Sequence, residues 1–217
     1  MQAKIWTDAR AFAQLVGQLP ARAPGVPRGV FLISPAQFRL AEQSASDNAY
    51  MQMAQSVDAT RAMLQDQALA QALARAGIAV HSFAGDPETP DAVFPNNVFA
   101  TAPGRLIVGA MRHPVRQRET QRADIRTWFR ALLGYREVNV AQRDCVAELT
   151  GSLIIDRARN IGFCGLSERC NYAGAVAMAH AFALEHVLVF DLAAGEYHTN
   201  VVMSALGGRA VLLCPNG

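Results

Sequence analysis

Lysine is nearly absent: Lys4 is the only one among 20 basic residues, so the other 19 are arginine, and 18 acidic residues bring the formal net charge to +2. A balance this close to neutral builds no broad positive field, which excludes nucleic acid as the expected partner. Cysteine is sparse too. Cys145, Cys164, Cys170 and Cys214 show no C-x-x-C spacing, so neither a disulfide scaffold nor a zinc site is signalled, and reduced thiols in a cytoplasmic setting fit better. The first 20 residues lack the apolar run of roughly 7 to 15 residues that an export signal needs. Apolar stretches such as 173–184, cut by His180, fall short of the roughly 20 residues that cross a bilayer. The expectation is a soluble, cytoplasmic protein without membrane contact.

What is present is a core-forming composition. With 51% hydrophobic and 18% charged residues in 217, the chain can bury a sizeable core, and disorder is excluded. Segment 21–28 (ARAPGVPR) packs Pro24, Gly25 and Pro27 together. Such punctuation divides residues 1–28, a helical arm over 7–19 with its linker, from a main domain at 29–217. In that domain one pattern recurs: a short β-type run, a polar loop, an Ala-rich helical stretch and a second β-type run. Opening runs fall at 30–34, 106–110, 161–165 and 210–214. Helical stretches fall at about 50–76, 119–133 and 171–184, and closing runs at 78–83, 137–140 and 187–191. A further short strand precedes each later opening run, at 97–101, 152–156 and 201–205, which makes the units ββαβ. The fold class is therefore α/β. The fourth unit stops at Pro215-Asn216-Gly217, where a loop into a helix is expected, so the domain reads as truncated after about three and a half units.

Three polar clusters occupy equivalent places in the units: Asp91-Ala92-Val93-Phe94-Pro95-Asn96-Asn97, Glu148-Leu149-Thr150-Gly151-Ser152 and Tyr197-His198-Thr199-Asn200. Around a pseudo-rotation axis these loops would bring one Asp, one Glu, one His and three Asn into one cavity. Carboxylates and amide oxygens accept N–H donors in a plane, and His carries a proton near neutral pH, so the set suits a flat polar cation.

These motifs, together with Gly165-Leu166-Ser167-Glu168-Arg169, resemble the guanidine-modifying, or pentein, superfamily of arginine deiminases, dimethylarginine dimethylaminohydrolases and amidinotransferases, and above all its bacterial citrulline-forming, amidinotransferase-like branch. The resemblance runs from about Val30 to the last residue. It implies an α/β-propeller built from ββαβ repeats, no metal or organic cofactor, and a small arginine-like guanidino substrate. It further implies a Cys thiolate that attacks the guanidinium carbon and a thiouronium intermediate resolved by water to citrulline. On this sequence His198 takes the part of general acid and base and Glu148 accepts its ring N–H. Asp91, Phe94, Asn96, Asn97 and Asn200 meet the guanidinium or the amino end, while Arg116 and Arg169 grip the substrate α-carboxylate. From its position in the chain, apart from the resemblance, the loop at 35–48 is expected to act as a lid over the site.

Departures from the family pattern carry expectations of their own. Asn97 and Asn200 stand where arginine deiminases tend to use carboxylates, which weakens the hold on a free guanidinium and favours a less basic guanidine. Leu149 replaces a usual Gly, which is expected to shift Glu148, and Cys170 replaces a common Thr. No position matches the family's nucleophilic Cys, which lies in the fifth unit; Cys164 is the least implausible stand-in. Two readings therefore compete: a guanidine carbon–nitrogen hydrolase or amidinotransferase represented by a fragment, and an inactive pseudoenzyme that binds a guanidino or amino-acid ligand or a partner. An incomplete ring also exposes an apolar edge, so self-association is expected.

Overall fold

A computed structural model describes residues 3–54 and 57–214. The turn expected at 215–217 lies outside the described residues. The chain opens with strand β1 (Lys4–Trp6) and helix α1 (Ala9–Gln18). Asp8 starts α1 because its carboxylate accepts from Arg10 N at 2.9 Å and Ala11 N at 3.0 Å, pairing backbone donors that have no partner inside the helix. The helical arm was legible from sequence. The three-residue strand before it was not, and it joins the sheet of the third unit: Lys4, Ile5 and Trp6 run parallel to residues 186–188. Phe12 of α1 is buried in the same region against Phe163, with ring centroids 5.4 Å apart.

The first unit contains β2 (Gly29–Ile33), a single turn α2 (Glu42–Ala45), α3 (Ala59–Arg75) and β3 (Ala79–Phe83). Residues 50–54 and 57–58 are not helical as the Ala-rich pattern suggested. Asp58 caps α3 by accepting from Arg61 N at 3.0 Å, and this fixes the start of the helix later in the chain. The second unit holds β4 (Phe99–Ala102), β5 (Arg105–Val108), α4 (Pro114–Glu119), α5 (Ala123–Thr127), a π-helical turn over Trp128–Leu132, and β6 (Arg136–Asn139). The single helix expected at 119–133 is thus two pieces, and the break falls where Arg122 turns to Asp124 and the Ala84 carbonyl, at 2.9 Å from each through Nε and Nη2.

The third unit comprises α6 (Leu149–Ser152), β7 (Leu153–Asp156), β8 (Ile161–Leu166), α7 (Tyr172–Ala181) and β9 (His186–Asp191). Asn171 caps α7 through Gly174 N at 2.9 Å. A side chain at Gly174 would sit 1.9 Å from the Val146 carbonyl, so glycine is what lets α7 approach this closely. The chain then runs through α8 (Thr199–Val202), β10 (Met203–Leu206) and β11 (Ala210–Leu213).

Helical crossovers make the pairs β2/β3, β5/β6 and β8/β9 parallel, whereas the tight connections β4/β5, β7/β8 and β10/β11 are antiparallel. Among the described residues four separate sheets result, ordered β2-β3, β4-β5-β6, β1-β9-β8-β7 and β10-β11. The fold is α/β, and no helix is long and apolar enough to cross a membrane among the described residues. The main core lies where β5, β7, β8 and α7 meet, around Ile107, Leu149, Leu153, Cys164 and Met178. Burying side chains of this size supplies about 1.5–3 kcal/mol each. At the other end, Leu212 and Leu213 of β11 are exposed.

Candidate active site

Each polar cluster forms one helical turn immediately before the first strand of its unit: Pro95–Asn97 before β4, α6 before β7 and α8 before β10. Repetition of this turn brings the three clusters together. Thr150 Oγ1 donates to the Asn96 carbonyl at 3.0 Å, and Thr199 Oγ1 donates to the Ser152 carbonyl at 2.6 Å while accepting from Gly165 N at 2.9 Å. At the junction is Gly151, where a Cβ would stand 2.6 Å from Asn97 Oδ1 and 3.0 Å from both Cε1 and Nε2 of His198. The amide of Asn97 and the His198 ring therefore meet across a position with no room for a side chain.

Glu148 is fully buried at the centre. Its Oε2 lies 2.9 Å from His198 Nε2 and accepts from Arg169 Nη1 at 3.1 Å, while Oε1 accepts from Arg112 N at 3.3 Å. Burial pushes this carboxyl upward, but the His198 hydrogen bond and the Arg169 charge overcome it, so the group titrates below the ordinary carboxylate range. For His198 the balance goes the other way: burial holds the imidazole below its usual value, and the Glu148 contact recovers only part of the loss. Near neutral pH this is a neutral imidazole beside an ionised carboxylate. Since a carboxylate only accepts, Nε2 carries the proton and Nδ1 is the ring's free acceptor.

Leu149 does not dislodge Glu148. It adopts φ +31°, a left-handed conformation that suits glycine, and its side chain is fully buried in the main core. Packing holds the strained backbone, and the Glu148–His198 contact is kept.

The remaining sequence candidates separate into two groups. Asp91 is buried, with Oδ2 hydrogen-bonded by Ser44 Oγ, and Asn96 Nδ2 donates to Asn97 Oδ1 at 2.9 Å. Phe94 and Asn200 are exposed. Arg116 is buried but already engaged: Nη2 donates to the Phe94 carbonyl at 2.9 Å, and Nε lies 2.8 Å from Glu119 Oε1. That short contact is off-line, so Nε and both Glu119 oxygens lack a hydrogen-bond partner. Burial lifts the Glu119 carboxyl to about 8, against the pull of Arg116 and with the Asp91 and Glu148 charges adding to the rise.

Sequence reading missed a second cluster. Arg169 is buried, and besides Glu148 it serves the Ser44 carbonyl through Nη2 at 3.0 Å and both oxygens of Asp47 through Nε at 3.0 Å. Arg112 Nε and His113 Nε2 reach Asp47 Oδ2 at 3.2 and 3.1 Å. Burial raises the Asp47 carboxyl, but Arg169 and His113 prevail and hold it below its usual value. The run Arg112-His113-Pro114-Val115-Arg116 was a visible concentration of cations. Nothing local marked Asp47.

The cysteines lie elsewhere. Cys164 and Cys170 are buried with sulfurs 3.6 Å apart, and the Cys164 thiol together with burial pushes Cys170 well above its ordinary value. Cys145 is half-buried, with its thiol pushed up by burial, and Cys214 is exposed after β11. Among the described residues no cysteine sulfur is hydrogen-bonded to His198 or Glu148.

Comparison with known proteins shows the family and the fold. The family model for N,N dimethylarginine dimethylhydrolase, eukaryotic, matches residues 34–217. The substrate-bound N-terminal domain of ArgZ, an arginine dihydrolase from the ornithine–ammonia cycle in cyanobacteria, superposes with TM-score 0.71 at 19% identity, over 84% of this chain and 65% of that one. A dimethylarginine dimethylaminohydrolase adduct with S-methyl-L-thiocitrulline gives TM-score 0.69 at 18% identity, over 87% and 70%. The Pseudomonas aeruginosa dimethylarginine dimethylaminohydrolase complexed with citrulline gives 0.64 at 17%, over 83% and 67%. The present chain thus spans a little under two thirds of the first of these, and at such identities the likeness establishes a shared fold. No curated protein matches the sequence.

Proposed function

Because this chain belongs to the N,N dimethylarginine dimethylhydrolase family, within the pentein superfamily, we propose that it acts as a hydrolase on the guanidino carbon–nitrogen bond of arginine or a substituted arginine, giving citrulline. The observation that carries this reading is the buried Glu148–His198 contact of 2.9 Å, with the Asn97 amide across Gly151. His198 accepts and returns a proton at Nδ1, and Glu148 keeps the tautomer and balances the imidazolium that forms when the departing amine must be protonated. Positioned proton transfer of this kind accelerates reactions by roughly 10²- to 10⁴-fold. Asp91, Asn96 and Asn97 supply acceptors for the planar cation, Phe94 and Asn200 line the approach, and Arg116 and Arg169 are the candidates for the carboxylate end.

Cys164 and Cys170 face each other in the core, so neither is assigned the thiolate that forms a thiouronium intermediate. In the same reading the ββαβ units are sectors of an α/β-propeller, cut after about three and a half of them, with residues 1–28 as an arm and 29–217 as the partial catalytic domain. Whether water or an amine takes the intermediate decides between hydrolase and amidinotransferase. The protein is cytoplasmic, and it self-associates through β11, where Leu212 is 56% and Leu213 69% exposed. The position of the cysteines also supports a second reading, a pseudoenzyme that binds a guanidino or amino-acid ligand without covalent chemistry.

Calorimetric titration with L-arginine and its methylated forms, run beside a citrulline assay, tests the proposal. Binding lost in His198→Ala supports the site, and citrulline formed by this chain or by a longer version of it selects the enzyme. Binding by both versions with citrulline from neither selects the pseudoenzyme, and no binding by any guanidine overturns both.

A further inference from the structure

Donors from two separate stretches of chain converge on a carboxylate that belongs to the protein itself. Asp47 follows α2 and its side chain is 14% exposed. Arg169 presents Nε at 3.0 Å to both of its oxygens and also touches it through Nη2, while Arg112 Nε and His113 Nε2 close on Oδ2 at 3.2 and 3.1 Å. The donors stand on fixed supports. Arg112 and His113 immediately precede α4, and Arg169 ends the turn between β8 and α7, pinned there by Glu148. A forked guanidinium backed by two further donors is a receptor for a carboxylate. It lies one hydrogen-bonded residue from His198, because Arg169 and His198 share Glu148 Oε2.

The occupant arrives on a segment that polar contacts help to hold. Ser44 Oγ donates to Asp91, Gln43 Oε1 accepts from Val115 N at 3.0 Å, and Tyr50 Oη donates to Glu196 at 2.9 Å. Such contacts exchange for water or ligand far more readily than packed apolar surface does.

We propose that Asp47 fills, from within the chain, the place a ligand carboxylate would take, and so determines specificity. In the closed site donors of Arg112, His113 and Arg169 are already engaged by Asp47, which favours a guanidino compound whose far end carries no carboxylate. A ligand with a carboxylate must displace Asp47 and open residues 42–50. The inference rests on the guanidino-binding part of the reading above and, while Asp47 is in place, replaces its arginine-like substrate with a guanidino compound that lacks a carboxylate.

L-arginine and agmatine, its decarboxylated counterpart, separate these effects. Calorimetric titration of the wild-type chain is expected to show agmatine binding the more tightly, and Asp47→Ala is expected to shift the affinity ratio toward L-arginine by about tenfold or more. A ratio unchanged in both Asp47→Ala and the nearly isosteric Asp47→Asn overturns the inference. If neither ligand binds either protein, the guanidine reading fails, and ligand-free hydrogen exchange decides on Asp47 alone. Exchange of the amides of residues 43–50 that is faster by about tenfold in Asp47→Asn, with β8 and β9 still protected, keeps the internal counter-ion. Unchanged exchange removes it.

Discussion

Glu148 and His198 meet at 2.9 Å with almost no solvent access to either, and the two shift each other's titration in opposing directions relative to burial. Glu148→Gln keeps the shape and removes the charge that supports the imidazolium. His198, already held down by burial, is therefore expected to titrate at still lower pH in the variant. Following its ring resonances by NMR across a pH series measures this directly, and an unchanged or higher value would show that the carboxylate does not govern the imidazole.

Glu119 yields a prediction of opposite sense. Its folded value of about 8 lies above the ordinary 4.5, so the folded protein holds this proton more firmly than the unfolded chain does. The stability it contributes is complete below about pH 4.5 and declines as pH rises toward about 8. Glu119→Gln has no such decline. Melting curves at pH 5 and pH 8.5 are expected to show the variant gaining on the wild type at the higher pH; a constant difference between them would refute the shift.

Thr199 ties α8 to two neighbours through a single hydroxyl, with bonds of 2.6 Å to the Ser152 carbonyl and 2.9 Å from Gly165 N. Thr199→Val matches its shape and leaves both backbone groups buried without partners, at about 1–3 kcal/mol each. The two together cost about 2–6 kcal/mol, so for a chain of this length the melting temperature should fall by roughly 4–24 °C. A drop of less than about 2 °C would mean that water replaces the hydroxyl.

At Gly151 a single methyl group meets Asn97 Oδ1 at 2.6 Å and the His198 ring at 3.0 Å. Gly151→Ala must push one or both aside, at about 1–3 kcal/mol of overpacking. Reduced melting temperature together with lost L-arginine binding is the expected pair of outcomes. Wild-type binding in a fully folded variant would place the ligand elsewhere.

The strands were largely legible because short apolar runs bounded by polar turns mark them whatever lies around. All ten strands from β2 to β11 fall within two residues of their expected bounds, whereas Lys4–Trp6 is too short to carry any period. Helix limits were harder. The true start of α3 depends on Asp58 and the break after α4 on Arg122, single side chains that composition averages away. Within the candidate site, the internal repeat made the meeting of Asn97, Glu148 and His198 readable, since equivalent turns occupy equivalent places. Asp47 was hidden for a physical reason. Its partners are 65 or more positions away in Arg112, His113 and Arg169, and an ion pair between distant segments leaves no local pattern.

Trp6 Nε1 and His186 Nδ1 lie 3.3 Å apart in space and 180 positions apart in sequence. The edge strand of the third sheet is consequently contributed by residues that are synthesised 180 positions ahead of the strand they pair with. Closing so long a loop adds little equilibrium cost, because the entropy grows only with the logarithm of its length, but it delays the step. Until β9 emerges, Lys4–Trp6 lacks the strand it pairs with, and during synthesis the nascent chain carries that segment unpaired.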